Sequence, residues 1–202
     1  VGAAARNMLG RTPGNVVAVH PLRDGVISDY ELTAKMLTEM IGRILKHAVI
    51  KPRVIVSVPS GVTEVEERAV IQAAMEAGAR RVYLIEEPLA AALGAGLDIT
   101  APDGHMVVDI GGGTTDIGVL TMNGIALSAS VRTAGMEFDD AIVRYVRKRY
   151  ALLIGENTAE DAKLAIGCVM PRPEPLSMRI KGRDLKTGLP READLTSEDI
   201  VE

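Results

Sequence analysis

A glycine-rich segment carries the residues best suited to chemistry. Asp109 ends an apolar run, and two hydroxyls, a second carboxylate and another apolar run follow three consecutive glycines, Gly111, Gly112 and Gly113. Glycines remove every Cβ from the turn, so backbone N–H groups can approach an anion, and the hydroxyls of Thr114 and Thr115 add donors. The segment predicts a strand, a phosphate-binding turn and a returning strand. The alternative is a plain hairpin in which Asp109 is only a capping residue.

Asp109 also has the position of a metal ligand, because it lies where the first strand ends. Mg²⁺ prefers oxygen ligands and keeps several of its waters, so a carboxylate here can hold the ion directly or through water. We therefore expect Asp109 to contribute to a Mg²⁺ site beside the bound phosphate.

Glu86 and Glu87 form a second acidic pair, at a strand-to-helix junction directly before Pro88. Adjacent side chains diverge, so at most one of them faces a cleft beside the glycines. A carboxylate there can orient a water in line with a terminal phosphate. The alternative is that both are first-turn acids, which the positive end of a helix dipole favours.

Two later helices carry further charged candidates. Glu137 or Asp139 is expected to cap the helix that opens after Gly135. Glu160 and Lys163 are three residues apart on one predicted helix, so both can reach the same ligand, or they can form a surface ion pair.

Composition narrows the class of protein. The chain has 202 residues, of which 47% are apolar and 25% charged, and its formal charge of -4 argues against a nucleic-acid partner. No membrane span or signal peptide is evident, and the single Cys168 excludes an internal disulfide and a Cys-based zinc cluster. Walker A, GxSxG, HExxH and GxGxxG patterns are absent. A cytoplasmic location fits these features.

The elements that must position these residues alternate between helix and strand. Helical spacing of apolar residues predicts helices at 2–9, 31–47, 64–77, 89–94, 138–150 and 159–169. Strands are expected at 16–19, 54–58, 81–85, 106–110, 115–121, 125–131 and 176–180, with a possible further strand before Thr187, and a loop at 21–29. Asn123-Gly124 is a strong two-residue hairpin signal. The order predicts an α/β fold, a sheet covered by helices.

Taken together, the motifs at 56–59, 85–92, 109–116 and 134–139 resemble the ATPase superfamily of actin, heat-shock chaperones and sugar kinases. Segments 8–14, 21–27 and 153–160 are similar to the MreB family of bacterial rod-shape-determining actin homologues within it. The resemblance covers the whole chain. It implies an actin-like ATPase of ribonuclease-H-like, two-lobe architecture, with residues 1–105 in the first lobe and 106–202 in the second.

The resemblance also implies a function. Members of this family bind and slowly hydrolyse ATP, form homopolymer filaments at the inner face of the cell membrane and, with cell-wall elongation proteins, guide wall synthesis. Their second phosphate loop matches Asp109–Thr115, and the water-orienting position matches Glu87. Glu160 and Lys163 match positions on the ribose and adenine side, and Gly135 lies in a shared nucleotide-site motif. Val49 and Ile50 occupy the place of an apolar loop that enters the membrane.

Two family motifs have no counterpart in the chain, namely the Asp-x-Gly-Thr phosphate loop near the N-terminus and the glycine-rich adenine loop near the C-terminus. The chain also opens without Met and stops in what is predicted to be the first turn of a helix. We therefore expect a piece that is incomplete at both ends and binds ATP weakly or not at all by itself.

Two other functions fit the superfamily. One is a monomeric chaperone-like ATPase that gates a peptide-binding module, which the MreB-like opening and the lack of a following substrate domain disfavour. The other is a sugar or acetate kinase, which needs a substrate pocket that the sequence does not reveal.

Overall fold

The computed structural model describes residues 1–9, 14–45 and 50–201. The helices are α1 (Ala3–Met8), α2 (Tyr30–Ile44), α3 (Glu64–Glu76), α4 (Glu87–Gly94), α5 (Gly135–Tyr150), α6 (Glu156–Ile166) and α7 (Ser197–Val201). The strands are β1 (Leu22–Arg23), β2 (Val26–Ile27), β3 (Arg53–Val58), β4 (Arg81–Glu86), β5 (His105–Ile110), β6 (Thr115–Thr121), β7 (Gly124–Val131), β8 (Leu152–Leu153), β9 (Ser177–Asp184) and β10 (Pro190–Thr196).

The chain forms two compact units. The central unit comprises residues 20–134, and the terminal unit comprises residues 1–19 with 135–202. The break at 134/135 differs from the predicted lobe boundary at 105/106, because α4 packs on both β5 and β6 and so joins that sheet to the central unit. The boundary between lobes stays a prediction.

In the central unit, β3 and β4 form a parallel pair that runs from Arg53 opposite Arg81 to Val58 opposite Glu86. The helix α3 connects these two strands. Its start is defined by a capping box, in which Thr63 and Glu66 each accept a hydrogen bond from the backbone of the other.

A second sheet of the central unit joins β5, β6 and β7 in antiparallel order. Every second residue of β6 is buried, namely Asp116, Gly118 and Leu120, as expected for a strand with one face on the core. Leu120 packs there with Ala92 of α4 and with Ile99.

In the terminal unit, the short β8 and the long hairpin β9–β10 form a sheet in the order β10-β9-β8. The helices α5 and α6 cover it. The core is aliphatic and consists of Ile142, Val146, Leu152, Ile154, Ala159, Ala162, Ile166, Ile180 and Leu195.

Most predicted helices and strands are confirmed, and the main differences lie at turns. Residues 16–19 are not a strand, since Val17 is 78% exposed. Residues 21–29 are not a simple loop but contain the hairpin β1–β2. The β6–β7 turn is one residue earlier than predicted, because Met122 and Asn123 have positive φ and Gly124 already belongs to β7.

The differences at the helix starts and in the last sheet have equally local causes. The strand predicted before Thr187 is the continuation of β9, and β10 begins after that turn, at Pro190. The prediction that Glu137 or Asp139 caps this helix is wrong, because α5 already begins at Gly135. The predicted end of the second helix at His47 lies outside the described residues.

Candidate functional site

The predicted phosphate turn, Gly111–Gly113 (the glycine turn), connects β5 and β6 in the central unit. Ile110 and Thr115 are the last paired residues before it. Two of the expected donors are already used: the Gly111 N–H donates to the Thr114 carbonyl over 2.9 Å, and the Thr115 hydroxyl donates to the Thr133 carbonyl over 2.7 Å. Thr114 itself is buried. The donors that an anion could meet are therefore fewer than the sequence suggested.

The tip of the β1–β2 hairpin packs directly on the glycine turn. A Cβ on Gly113 would lie 2.8 Å from the Gly25 backbone nitrogen and 2.9 Å from the Asp24 Cα. Gly25 has a φ of +75°, and a Cβ there would lie 2.6 Å from Cγ2 of Thr114. Glycine is thus required at Gly113 by the close approach of two backbones, and at Gly25 by the positive φ and the adjacent Thr114 side chain. This contact could not be predicted, because nothing in the sequence of segment 21–29 indicates where its tip lies.

Three carboxylates come together near the glycine turn, and we call Glu87, Asp109 and Asp116 the carboxylate cluster. Asp109 and Asp116 are directly opposite each other on β5 and β6. Asp116 is fully buried, and its Oδ1 accepts a hydrogen bond of 3.0 Å from the Ser60 N–H. Its Oδ2 is buried without a donor among the residues that the structure describes. The sequence pattern had indicated no role for Asp116.

Glu87 is the first residue of α4 and is half-buried. Burial, the adjacent Asp116 and then Asp109 raise its pKa from 4.5 to about 7. The helix dipole alone would lower the pKa of a first-turn acid, so burial and like charge outweigh it here. The neighbouring Asp116 carboxylate therefore favours the protonated form of Glu87. Glu86, by contrast, makes no side-chain capping bond.

The chemistry of the carboxylate cluster fits a divalent cation held partly through water and phosphate. Hard cations such as Mg²⁺ take oxygen ligands, often one or two carboxylates with several waters. None of these three side chains forms an ion pair within the described ranges. Those ranges also contain no group of three His, Cys, Asp or Glu side chains already arranged around a common point. Asp109 as a metal ligand therefore stays a prediction.

In the terminal unit, the structure brings Lys163 and Gly135 together. The Lys163 Nζ donates to the Gly135 carbonyl over 2.9 Å and lies 2.8 Å from Asp139 Oδ1. Burial raises the pKa of Asp139, and the ammonium of Lys163 opposes that rise. Lys163 thus ties the start of α5 to α6.

Glu160 has a different partner from the one that its spacing suggested. Its carboxylate pairs with Arg6 of α1 and not with Lys163. The Arg6 Nε and Nη2 lie 3.0 and 2.5 Å from the same oxygen, Glu160 Oε2. No sequence signal linked residue 6 to residue 160.

A cavity of about 520 Å³ also lies in the terminal unit. Lys163 lines it and Glu160 does not, so it does not join the two residues predicted for the ribose and adenine side. Its other lining residues are largely apolar and include Phe138, Ile142 and Ile200.

The predicted membrane contact is described only in part. Val49 lies outside the described residues, whereas Ile50 is 71% exposed and Ile44, the last residue of α2, is 81% exposed. No helix within the described part of the chain combines the length and the hydropathy that a membrane span requires.

The fold is that of an actin-like protein. The structure superposes on MreB5 of Spiroplasma citri bound to ADP with a TM-score of 0.91 and 43% identity, covering 100% of this chain and 60% of that one. The sequence model described as MreB/Mbl protein matches residues 1–202, and the chain therefore belongs to the MreB/Mbl family.

Two curated relatives agree with this assignment. The cell shape-determining protein Mbl of Bacillus cereus is 49% identical over 203 residues, which are 100% of this chain and 61% of Mbl. The cell shape-determining protein MreB of Escherichia coli is 50% identical over 204 residues, covering 100% of this chain and 59% of MreB. The chain thus spans about three fifths of the length of these relatives.

Proposed function

We propose that the protein acts as an ATP-dependent, actin-like filament protein that associates with the inner face of the cell membrane, controls rod shape and guides cell-wall synthesis. The observation that carries the ATPase part is the carboxylate cluster beside the glycine turn. A carboxyl with a pKa of about 7 next to a phosphate-binding turn is typical of a residue that handles a water or a proton. Family membership and the ADP in the MreB5 structure support a nucleotide as the ligand.

Each predicted residue of the central unit then has a proposed role in nucleotide binding or hydrolysis. The remaining backbone N–H groups of the glycine turn hold a phosphate group, with Thr114 and Thr115 shaping the turn. Asp109 holds Mg²⁺, which neutralises phosphate charge when it is bound. Glu87 orients the attacking water, since positioning is the main contribution of a protein to phosphoryl transfer.

The residues proposed for the ribose and adenine side of the nucleotide lie in the terminal unit. Glu160 carries a carboxylate oxygen that can accept from ribose hydroxyls, and Gly135 and Lys163 form the adjoining wall through their mutual hydrogen bond. These assignments follow the family motifs and stay proposals.

Filament formation explains how a weak membrane contact can suffice. Val49 and Ile50 offer little apolar area, so a single copy binds a bilayer weakly, and many copies in one polymer raise the affinity by avidity. The partners are then other copies of the same protein, the membrane surface and proteins of cell-wall elongation.

One experiment tests the proposal, on a chain extended to the length of its relatives. With Mg·ATP we expect the extended protein to sediment as polymer and to release phosphate slowly. Glu87→Gln should lower the rate of phosphate release by roughly 10²-fold without weakening nucleotide binding, because the water loses its orienting group. Glu86→Gln is the matched control. Sedimentation without nucleotide dependence, or equal phosphate release by both variants, would overturn the proposal.

A further inference from the structure

The short helix α1 is attached to α6 by polar contacts centred on one residue. α1 has no buried residue, so apolar packing does not hold it. Arg6 donates through Nε and Nη2 to Glu160, its Nη2 lies 3.8 Å from Asp161 Oδ1, and its carbonyl accepts from Asn157 Nδ2 over 3.1 Å. Residues 157, 160 and 161 follow helical i, i+3 and i+4 spacing, so they share one face of α6.

The geometry at Glu160 is specific. Both guanidinium donors meet Oε2, and no donor within the described residues contacts Oε1. Because both donors belong to one planar guanidinium, they fix the position of Oε2 more closely than a single ammonium would. Oε1 is therefore left with its lone pairs available.

The distribution of charge also supports a role for Arg6 at Glu160. Without Arg6, Glu160 would stand beside Asp161 and Glu156 as a cluster of negative charge, which repels an anionic ligand. The Glu160 carboxylate raises the pKa of Arg6, so the guanidinium stays charged throughout the accessible pH range. Arg6 thus compensates one carboxylate at the place where the nucleotide is proposed to bind.

We propose that Arg6 is a positioning residue for the ribose contact: it holds Glu160 through Oε2 so that Oε1 accepts a hydrogen bond from a ribose hydroxyl of the nucleotide. This rests on the proposed function, since it requires that Glu160 faces the ribose. The competing explanation is that Arg6 only fastens α1 to α6.

The test measures discrimination between ATP and 2′-deoxy-ATP by titration calorimetry in the presence of Mg²⁺, on the extended protein. A hydrogen bond from ribose to a charged acceptor predicts a preference of about tenfold for ATP in the unmodified protein. Arg6→Ala should reduce that preference to roughly twofold, with little change in the affinity for 2′-deoxy-ATP. Arg6→Lys should restore part of it, because the charge returns without the two-donor fork.

Two controls separate the explanations. Asn157→Ala removes another contact between α1 and α6 but leaves the guanidinium and Glu160 intact, so it should preserve the preference. If Asn157→Ala lowers the preference as much as Arg6→Ala does, attachment of α1 is the cause and the inference is wrong. Arg144→Ala, which removes an exposed ion pair with Glu137 in the same unit, controls for the loss of a positive charge.

Glu160→Ala separates failure of this inference from failure of the proposed function. If Glu160→Ala abolishes the preference and Arg6→Ala leaves it intact, Arg6 does not position Glu160. If Glu160→Ala itself leaves the preference intact, then Glu160 does not contact the ribose. In that case the ribose assignment is wrong, and the inference about Arg6 is wrong with it.

Discussion

In the central unit, Glu87, Asp109 and Asp116 gather three carboxylates beside the glycine turn, and none of them has a cationic partner among the described residues. In the terminal unit, the two comparable carboxylates each contact a cation: Asp139 contacts Lys163, and Glu160 contacts Arg6. One region concentrates negative charge and leaves a buried acceptor without a donor, whereas the other compensates its charges internally.

This difference predicts how each region responds to added or removed charge. The carboxylate cluster lacks positive charge and is expected to gain most from a cation or a protonated group. In the α5–α6 region, Asp139 and Glu160 each already have a cationic partner, so an added cation is expected to contribute less there. The first region should therefore respond to pH and divalent ions, and the second to loss of its basic residues.

The largest expected effect concerns the backbone of the first region. Gly113→Ala places a Cβ within 3.0 Å of the backbone of Asp24 and Gly25, which cannot move as a flexible side chain would. We expect the free energy of unfolding to fall by about 3 kcal/mol, as measured by urea unfolding. Gly104→Ala is the control, because the nearest atom to its Cβ is a Val119 methyl at 3.7 Å. Similar stability of the two variants would contradict the close contact.

A smaller effect is expected from removal of a cation in the second region. Lys163→Met leaves Asp139, whose side chain is 14% exposed, without its ion-pair partner. The free energy of unfolding should fall by about 2 kcal/mol at neutral pH, in thermal or urea unfolding. The loss should shrink in acid, where Asp139 becomes protonated. Arg144→Ala removes a more exposed pair and should change stability by less than about 0.5 kcal/mol. Equal losses of stability in the two variants would show that the largely buried Lys163–Asp139 pair contributes no more than the exposed Arg144–Glu137 pair.

The smallest effect is the pH response of Glu87. Its pKa is higher in the folded chain, about 7, than the ordinary 4.5, so the folded state binds the proton more tightly. The resulting stabilisation is complete below about pH 4.5 and is lost as the pH rises through about 7. After allowance for the partial exposure of the side chain, we expect a loss on the order of 1 kcal/mol.

Glu87→Gln isolates this contribution. The variant should lack the decline in stability between pH 4.5 and 7 that the unmodified chain shows, whereas Glu86→Gln should retain it. Urea unfolding at several pH values measures both. Mg²⁺ should also reduce the decline, because a cation at the carboxylate cluster relieves the repulsion that raises the pKa. A decline that is identical in all three proteins would show that Glu87 is not coupled to Asp116.

Much of the local structure could be predicted from the sequence. The alternation along β6 and the capping residues of α3 depend on near neighbours in the chain. The glycine turn followed from its three glycines for the same reason. The β6–β7 turn was predicted within one residue, since only the register of pairing decides whether Asn123 or Gly124 takes the second central position.

The candidate site was predictable only in part. Glu87 was identified from the family motif, but its raised pKa depends on burial and on Asp116, which is distant in sequence. Lys163 and Glu160 were expected to act together on one ligand or to pair with each other. The mutual ion pair is wrong, because each has its own partner on another helix, and the common ligand stays a prediction. Helical spacing shows which side chains are neighbours on one helix, but it contains no information about the neighbouring helix.

The sequence by itself determined the strand, turn and strand around Asp109, the start of α4 at the acidic pair, and the family, because these features depend on residue types within a few positions of one another. Only the tertiary structure decided that the hairpin tip closes on Gly113, that Ser60 meets Asp116 and that Arg6 meets Glu160. The last two contacts join residues 56 and 154 positions apart. Contacts of this kind arise from the packing of whole elements, and local residue patterns do not specify that packing.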